Sequence, residues 1–483
     1  MRRNTDVALV SLGLLLGTTG CDAFLTGNKL SENPNLPTAA AIQPLFVGVQ
    51  AGQFTFQEAT AAMMTCEWVQ ACGAANGRFV QQAGQYVFGE TSNIAANFGD
   101  WLQVYGGGGL VDIRRVKALA RAAGDSTWVG IAKVWEALTI GTASDLWGDI
   151  PYSQVDTNTT NPPLDDRFAI LGSLQTSLSE AITELASGLG AGPGNVDLIF
   201  NPGGDQSVAT LRAKWTRVAY TLKARFYMHT AESLGVPAYT AAIAAALNGI
   251  GDPTGQGDLR SFHTKVTAER NMWSQFQVSS GFGTDLEAGK ALADYMNARN
   301  DPRRAAYFCL NALGGYGGDD FNVVVNPDSI SNFACLPPRF AADARIPYVS
   351  WAENELILAE AYAATGDTAS ARVHLNNELA TVPLPAVASG LSAAALRDTV
   401  MMEKYVALFQ NIETIDDYRR TCVPAITPVS NGQGFTHVPG RLYYPQAERN
   451  TNTNIPDPSV QLATHGFRNK GDVHACQGSD ALP

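Results

Sequence analysis

The chain has 483 residues, 45% of them hydrophobic and only 16% charged, enough to bury one large core or two to three ordinary ones, which excludes disorder over most of its length. Its formal net charge of −12 argues against nucleic acid or an anionic lipid surface as the main partner. No apolar run approaches the roughly 20 residues needed to cross a bilayer.

Arg2 and Arg3 open the chain, and residues 7–17 form an apolar run that ends in Thr18-Thr19-Gly20-Cys21. A positive start, a short apolar core and small residues predict a signal peptide over 1–20, removed in the mature protein. The residues before Cys21 are similar to a bacterial lipobox, with Thr18 where Leu is usual, which predicts a lipid on Cys21; an ordinary disulfide cysteine is the alternative. Losing Arg2, Arg3 and Asp6 moves the net charge from −12 to −13. Residues 21–37 are polar with Gly and Pro and suit a tether, and 38–483 is expected to be a single domain.

Six cysteines remain, an even number that favours disulfides in an exported chain. The neighbour pairs 66–72, 309–335 and 422–476 are taken among the 15 possible pairings. With no C-x-x-C and no His at matching spacing, no metal site is expected.

The glycine run 106–109 precedes a helix predicted near 110–123, as a flexible entry or an anion cradle. Trp128, Ile131, Trp135, Leu138 and Thr142 step by three and four, which predicts a helix over 127–147. Leu171, Leu174, Leu178, Ile182 and Leu185 do so over 167–187 after Asp165 or Asp166 as cap, and Leu211, Trp215, Val218, Leu222 and Phe226 over 207–233 after Ser207. In 346–382, Leu358, Ala359, Tyr362, Ala371 and Leu375 fall at tetratricopeptide spacing around a Gly366-Asp367 turn. Such a hairpin must stack on neighbours to bury its faces. The fold class expected is mostly α, a tetratricopeptide-like scaffold with few short strands. Residues 251–345 and 421–483 read as long irregular loops, with a short strand at 322–326.

Catalytic signatures are absent: there is no G-x-S-x-G, H-E-x-x-H or G-x-x-x-x-G-K-[ST], and no cofactor is implied. The pairs Asp319-Asp320 and Asp416-Asp417 could supply the two carboxylates a glycosidase needs, but adjacent Asp residues in Gly-rich loops are usually solvated or turn-forming. Aromatic residues outside the helical stripes have no evident core to enter. Phe79, Tyr86, Trp273, Phe276, Tyr316 and Phe321, with Asp319 and Asp320, are therefore the candidate ligand contacts, since flat rings stack on sugars while polar groups bond hydroxyls. Packing of these rings onto the helices is the competing reading.

Four stretches carry a family resemblance: CDAFL with ENPNLPT; SDLWGDIPYSQV at 144–155, with Asp145, Gly148, Asp149, Pro151 and Tyr152 in place; ELILAEAYAATGD at 355–367; and IDDYRR at 415–420 with RLYYPQAERNTN at 441–452. In this order they resemble the SusD/RagB nutrient-binding lipoproteins of bacterial outer membranes. The hairpin departs from many relatives by ending in HLNNELATV. The resemblance implies a helical, tetratricopeptide-containing lid over a TonB-dependent barrel transporter, binding oligosaccharides or other nutrients without catalysis. It transfers no ligand residue. A lipid-anchored glycan hydrolase and a protein-binding repeat scaffold are the alternatives.

Overall fold

The computed structural model describes residues 41–75, 79–92, 98–155, 160–279, 285–321, 326–429 and 434–472. Cys21, the tether and most of the strand expected at 322–326 lie outside them. A first unit, Met1–Leu45, is described only at residues 41–45; the body is Phe46–Pro483.

Helices of seven residues or more are numbered in chain order. The first eight are α1 (Ile42–Glu58), α2 (Thr60–Trp68), α3 (Phe98–Tyr105), α4 (Leu110–Ala122), α5 (Ser126–Trp147), α6 (Arg167–Ala186), α7 (Val208–Leu234) and α8 (Val236–Ala246). Then come α9 (Met272–Val278), α10 (Lys290–Ala298), α11 (Trp351–Ala364), α12 (Thr368–Thr381), α13 (Ala393–Ala407) and α14 (Glu413–Thr421). The strands are short: β1 (Cys72–Gly73), β2 (Leu259–Arg260), β3 (Glu287–Ala288) and β4 (Pro347–Val349), paired antiparallel as β1–β3 and β2–β4. The expected class, mostly helical with few short strands, is what the body shows.

Helices α4 to α8 pack each on the next, and α11 joins α8 to the hairpin partner α12 and to α13. Local sequence explains the boundaries. Asp166 caps α6 by accepting from the Phe168 and Ala169 amides, Ser207 caps α7 through Thr210, and Asp367 caps α12 through Ser370 after Gly366 turns at φ +90°. Ser350 and Glu353 form a capping box at the start of α11. Helix α5 is the axis of the body. All its residues but the first are buried, and the Trp135 ring lies 5.9 Å from that of Trp215 on α7. Gly141 makes room for Phe226 of α7, since a Cβ there would stand 2.4 Å from its ring. The glycine run before α4 is occupied by its own chain: the Gly108 amide donates to Asp112 at 2.8 Å, and Gly52 of α1 lies against the Gly107 carbonyl.

Buried charges lock this layer to the C-terminal segment. Arg167 binds Asp145 (2.8 Å) and Asp416 (3.2 Å), and Arg419 donates to the Asp145 and Gly440 carbonyls at 2.8 and 2.7 Å. His229 faces Asp145, Glu413 and Asp416 at 3.2, 2.8 and 3.3 Å. Burial alone would lower its pKa, but those three carboxylates raise it to about 10, so it is an imidazolium. Asp145, His229 and Glu413 bring three ligand atoms within 4.8 Å of one another, yet Arg167, Arg225 and the imidazolium already counter the carboxylates. Asp416 and Asp417 are thus bound to arginine and lysine, at 2.7 Å for Arg419–Asp416 and 2.6 Å for Lys404–Asp417, and are not a free catalytic pair.

The WGDIPY turn is held by the same segment. Gly148 ends α5 at φ +84°, Asp149 accepts from the Arg167 amide at 2.8 Å, and Trp147 donates to the Tyr443 carbonyl at 3.1 Å. Two expected disulfides, Cys66–Cys72 and Cys309–Cys335, are formed; Cys422 is disulfide-bonded, and Cys476 lies outside the described residues.

Candidate ligand-binding loop face

Three distant stretches meet at one edge of the body. Helix α2 runs into β1 across the Cys66–Cys72 disulfide, and β1 pairs with β3 in the register Cys72↔Ala288 and Gly73↔Glu287. Asp319 joins alongside: its amide donates to the Ala288 carbonyl at 2.8 Å, and its carbonyl accepts from the Lys290 amide at 2.9 Å. Gly73 makes room for it, since a Cβ there would sit 2.8 Å from the Asp319 Cβ.

Rings gather on this platform. The wide turn Phe79–Gly84 places the Phe79 ring 5.4 Å from that of Phe276, edge to face. Gly84 lies under Phe321, where a Cβ would be 2.4 Å from the ring. Phe321 and Tyr86 hold φ of +56° and +55°, left-handed conformations that cost bulky side chains of order 1 kcal/mol each. The short helix α9 positions Phe276. Its cap Asn271 accepts from the Trp273 and Ser274 amides and donates to the buried Glu58 at 3.1 Å.

The eight expected contacts divide. Phe276, Phe321, Asp319 and Asp320 are half-buried at this edge. Phe79 and Tyr86 belong to it but are 1% exposed, so they support the surface rather than present a face. Trp273 is a correction: it is fully buried against Phe340 and Phe409, with ring centroids 5.7 and 6.5 Å away, and offers nothing to a ligand. Phe276 follows it by three positions on α9, close to one helical turn, yet the Trp273 ring goes to the core. Tyr316 is half-buried beneath Arg304, whose guanidinium carbon is 5.5 Å from its ring centre.

Sequence reasoning missed the acids beneath the rings. Glu67 of α2 is fully buried, and neither carboxylate oxygen has a hydrogen-bond partner among the described residues. Burial, then Asp319 and Asp285, push its pKa well above the ordinary carboxylate range. Burial followed by Asp319 raises Glu287 to about 7. Burial also raises Asp319, against the opposing Phe321 and Asp320 amides. One signal was available: Glu67 is the only charged residue in TAAMMTCEW, a helix otherwise rich in small and apolar side chains. Half-exposed rings beside Glu287, a carboxyl poised near neutral pH, and the Asp319 carboxyl suit the faces and hydroxyls of a saccharide.

A family model described as starch-binding and associating with the outer membrane, SusD-like, matches residues 34–445. The chain belongs to the SusD/RagB family. Solved structures agree with this SusD-like fold. A chitin-binding protein is 20% identical with a TM-score of 0.70, covering 89% of this chain and 99% of its own. A SusD-like protein from Bacteroides thetaiotaomicron is 19% identical with a TM-score of 0.70, covering 89% and 97%. A chitin-binding SusD homologue from Flavobacterium johnsoniae is 16% identical with a TM-score of 0.69, covering 90% and 99%. No curated protein matches the chain. The matched blocks WGDIPY and IDDYRR carry the fold's buried bonds, whereas the loop face lies outside every block that signalled the family.

Proposed function

We propose that this SusD-like protein is a lipid-anchored lid on the outer-membrane surface that captures an oligosaccharide on its loop face and passes it to a TonB-dependent barrel, without turning it over. The observation that carries the reading is the meeting of Phe276 and Phe321 with Asp319 and Glu287 on one platform drawn from separate parts of the chain. Two of the structural relatives are chitin-binding by name, and the family description names starch, which supports a glycan over other nutrients. Cys21 and the tether 21–37 give such a lid an anchor and freedom to swing. The protein extracted from membranes in mild detergent is expected to co-purify with a large barrel; repeated isolation as a lone species would contradict the role.

Hydrolysis is a second reading, favoured by the raised carboxyl groups of Glu287 and Asp319. Pure protein is expected to leave oligosaccharides intact over days. Cleavage that disappears in Glu287→Gln or Asp319→Asn would replace capture with catalysis.

A further inference from the structure

On the helical side of the body, α4, α5, α6 and the turn after Pro151 enclose an open cleft of about 490 Å³. This lies within the few hundred Å³ usual for small-molecule sites. In a chain of net charge −12, the lining carries four cations, Arg114, Lys117, Arg121 and Lys133, against two carboxylates, Glu136 and Glu180. Arg114, Lys117 and Arg121 are three and four residues apart on α4, so they form one row about 10 Å long at 1.5 Å per residue.

The row is held in place. Arg114 donates to the Tyr152 and Val155 carbonyls at 2.9 and 2.5 Å and to Glu136 at 3.2 Å, and its guanidinium carbon stands 5.2 Å from the Tyr152 ring centre. Lys117 pairs with the same Glu136, which also accepts from the Tyr152 hydroxyl at 3.4 Å. Across the cleft Lys133, with a side chain only 4% exposed, binds Glu180 at 2.9 Å, and Glu184 stands 3.8 Å off. Arg121 is exposed at the open end. The remaining lining is hydroxylic, from Ser153, Ser173, Thr176 and Ser177.

We propose that this cleft binds the anionic group of an acidic saccharide, a carboxylated or sulfated sugar whose hydroxyls meet the serines, threonine and carboxylates. Among the described residues the lining is charged and hydroxylic with Tyr152 as its ring, which fits the anion, hydroxyls and flat face of a sugar better than the apolar core of a protein interface. The inference takes its saccharide class from the capture reading above, but it places the anion on the helical side and not on the loop face.

The test is calorimetric titration of the detergent-solubilised full-length protein with oligogalacturonate, a sulfated oligosaccharide, a neutral oligosaccharide of equal length and a polyglutamate peptide. The variants are Arg121→Glu and Ser173→Glu, both at exposed positions. At least one acidic saccharide is expected to bind more tightly than the neutral one and to weaken about fivefold or more in each variant, while neutral binding is unchanged. Whichever acid binds names the source of the charge. Phe321→Ala is expected to weaken neutral binding and to leave the Arg121→Glu effect intact, so neutral binding that survives Phe321→Ala would count against the loop face and not against the cleft. Equal affinity for acidic and neutral sugars, indifference to both variants, or polyglutamate binding as tightly as the sugars would each overturn the proposal.

Discussion

Replacing Glu360 by Gln tests whether the buried ion lattice holds the tetratricopeptide hairpin to the C-terminal helix. Glu360 of α11 is fully buried, and it accepts from Arg420 of α14 at 2.8 and 3.1 Å and from Lys404 of α13 at 3.1 Å. Burial alone would raise its carboxyl pKa, but the Arg420 and Lys404 charges overcome this and hold it well below the ordinary value of 4.5. Gln removes the charge and keeps one acceptor oxygen, while Asp417 still faces both cations at 2.5 and 2.6 Å. Breaking a buried pair from one side costs about 3–5 kcal/mol, and the remaining acceptors point to the lower end, about 3 kcal/mol. An unfolding entropy of about 2 cal/mol/K per residue gives a chain of this length about 1 kcal/mol/K, so Tm should fall by about 3 °C. Scanning calorimetry of both proteins between pH 5 and 8 reads this directly. A depressed pKa stabilises above the unfolded value and is lost only as pH falls through the folded one, so the penalty should stay constant over that window. The exposed pair Lys290–Asp294 is the control, and Lys290→Gln should leave Tm within about 1 °C. A Glu360→Gln change as small as that control, or one that vanishes by pH 5, would mean that the buried charges do not hold the hairpin.

Glu287→Gln should stabilise the protein at pH 8 by about 1 kcal/mol, a figure discounted for partial exposure, and have no effect at pH 4. The sign follows from its raised pKa: the favourable contribution of Glu287 is complete below 4.5 and lost as pH rises through about 7, and Gln escapes that loss. Thermal unfolding across the range checks it, and equal curves at pH 8 would deny the acidic neighbourhood. Gly84→Ala puts a Cβ where the Phe321 ring now lies, so it should displace the ring and weaken saccharide binding about fivefold in a protein that still folds. Unchanged affinity would remove Phe321 from the site. Cys21→Ala should release the protein from membranes without altering its circular dichroism, and retention in the membrane fraction would contradict the anchor.

The scaffold was legible wherever apolar periodicity ran through several turns. The stripe from Trp128 to Thr142 became the buried α5, and the Gly366-Asp367 turn became the α11–α12 hairpin with Asp367 as its cap. Periodicity has nothing to say about α9, seven residues long, which is why Trp273 reads as a free loop ring and proves to be core. The loop reading of 251–345 also overlooked β2 and β3, and the hairpin reading of 346–382 overlooked β4, because strands of two or three residues are fixed by distant partners and not by local pattern. Of the loop face, Phe276, Phe321 and Asp319 were readable as residues without a helical role. Glu67, Asp285 and Glu287 were not, since what marks them is burial beside one another across more than 200 positions of chain.

Capture of a saccharide by the loop face is tested most directly by binding of the solubilised full-length protein to chitin- and starch-derived oligosaccharides, in parallel with Phe276→Ala and Phe321→Ala. At least one oligosaccharide is expected to bind, and each substitution to weaken it by about fivefold or more, as loss of one stacked ring of roughly 1 kcal/mol implies. Binding that survives both substitutions unchanged would contradict it.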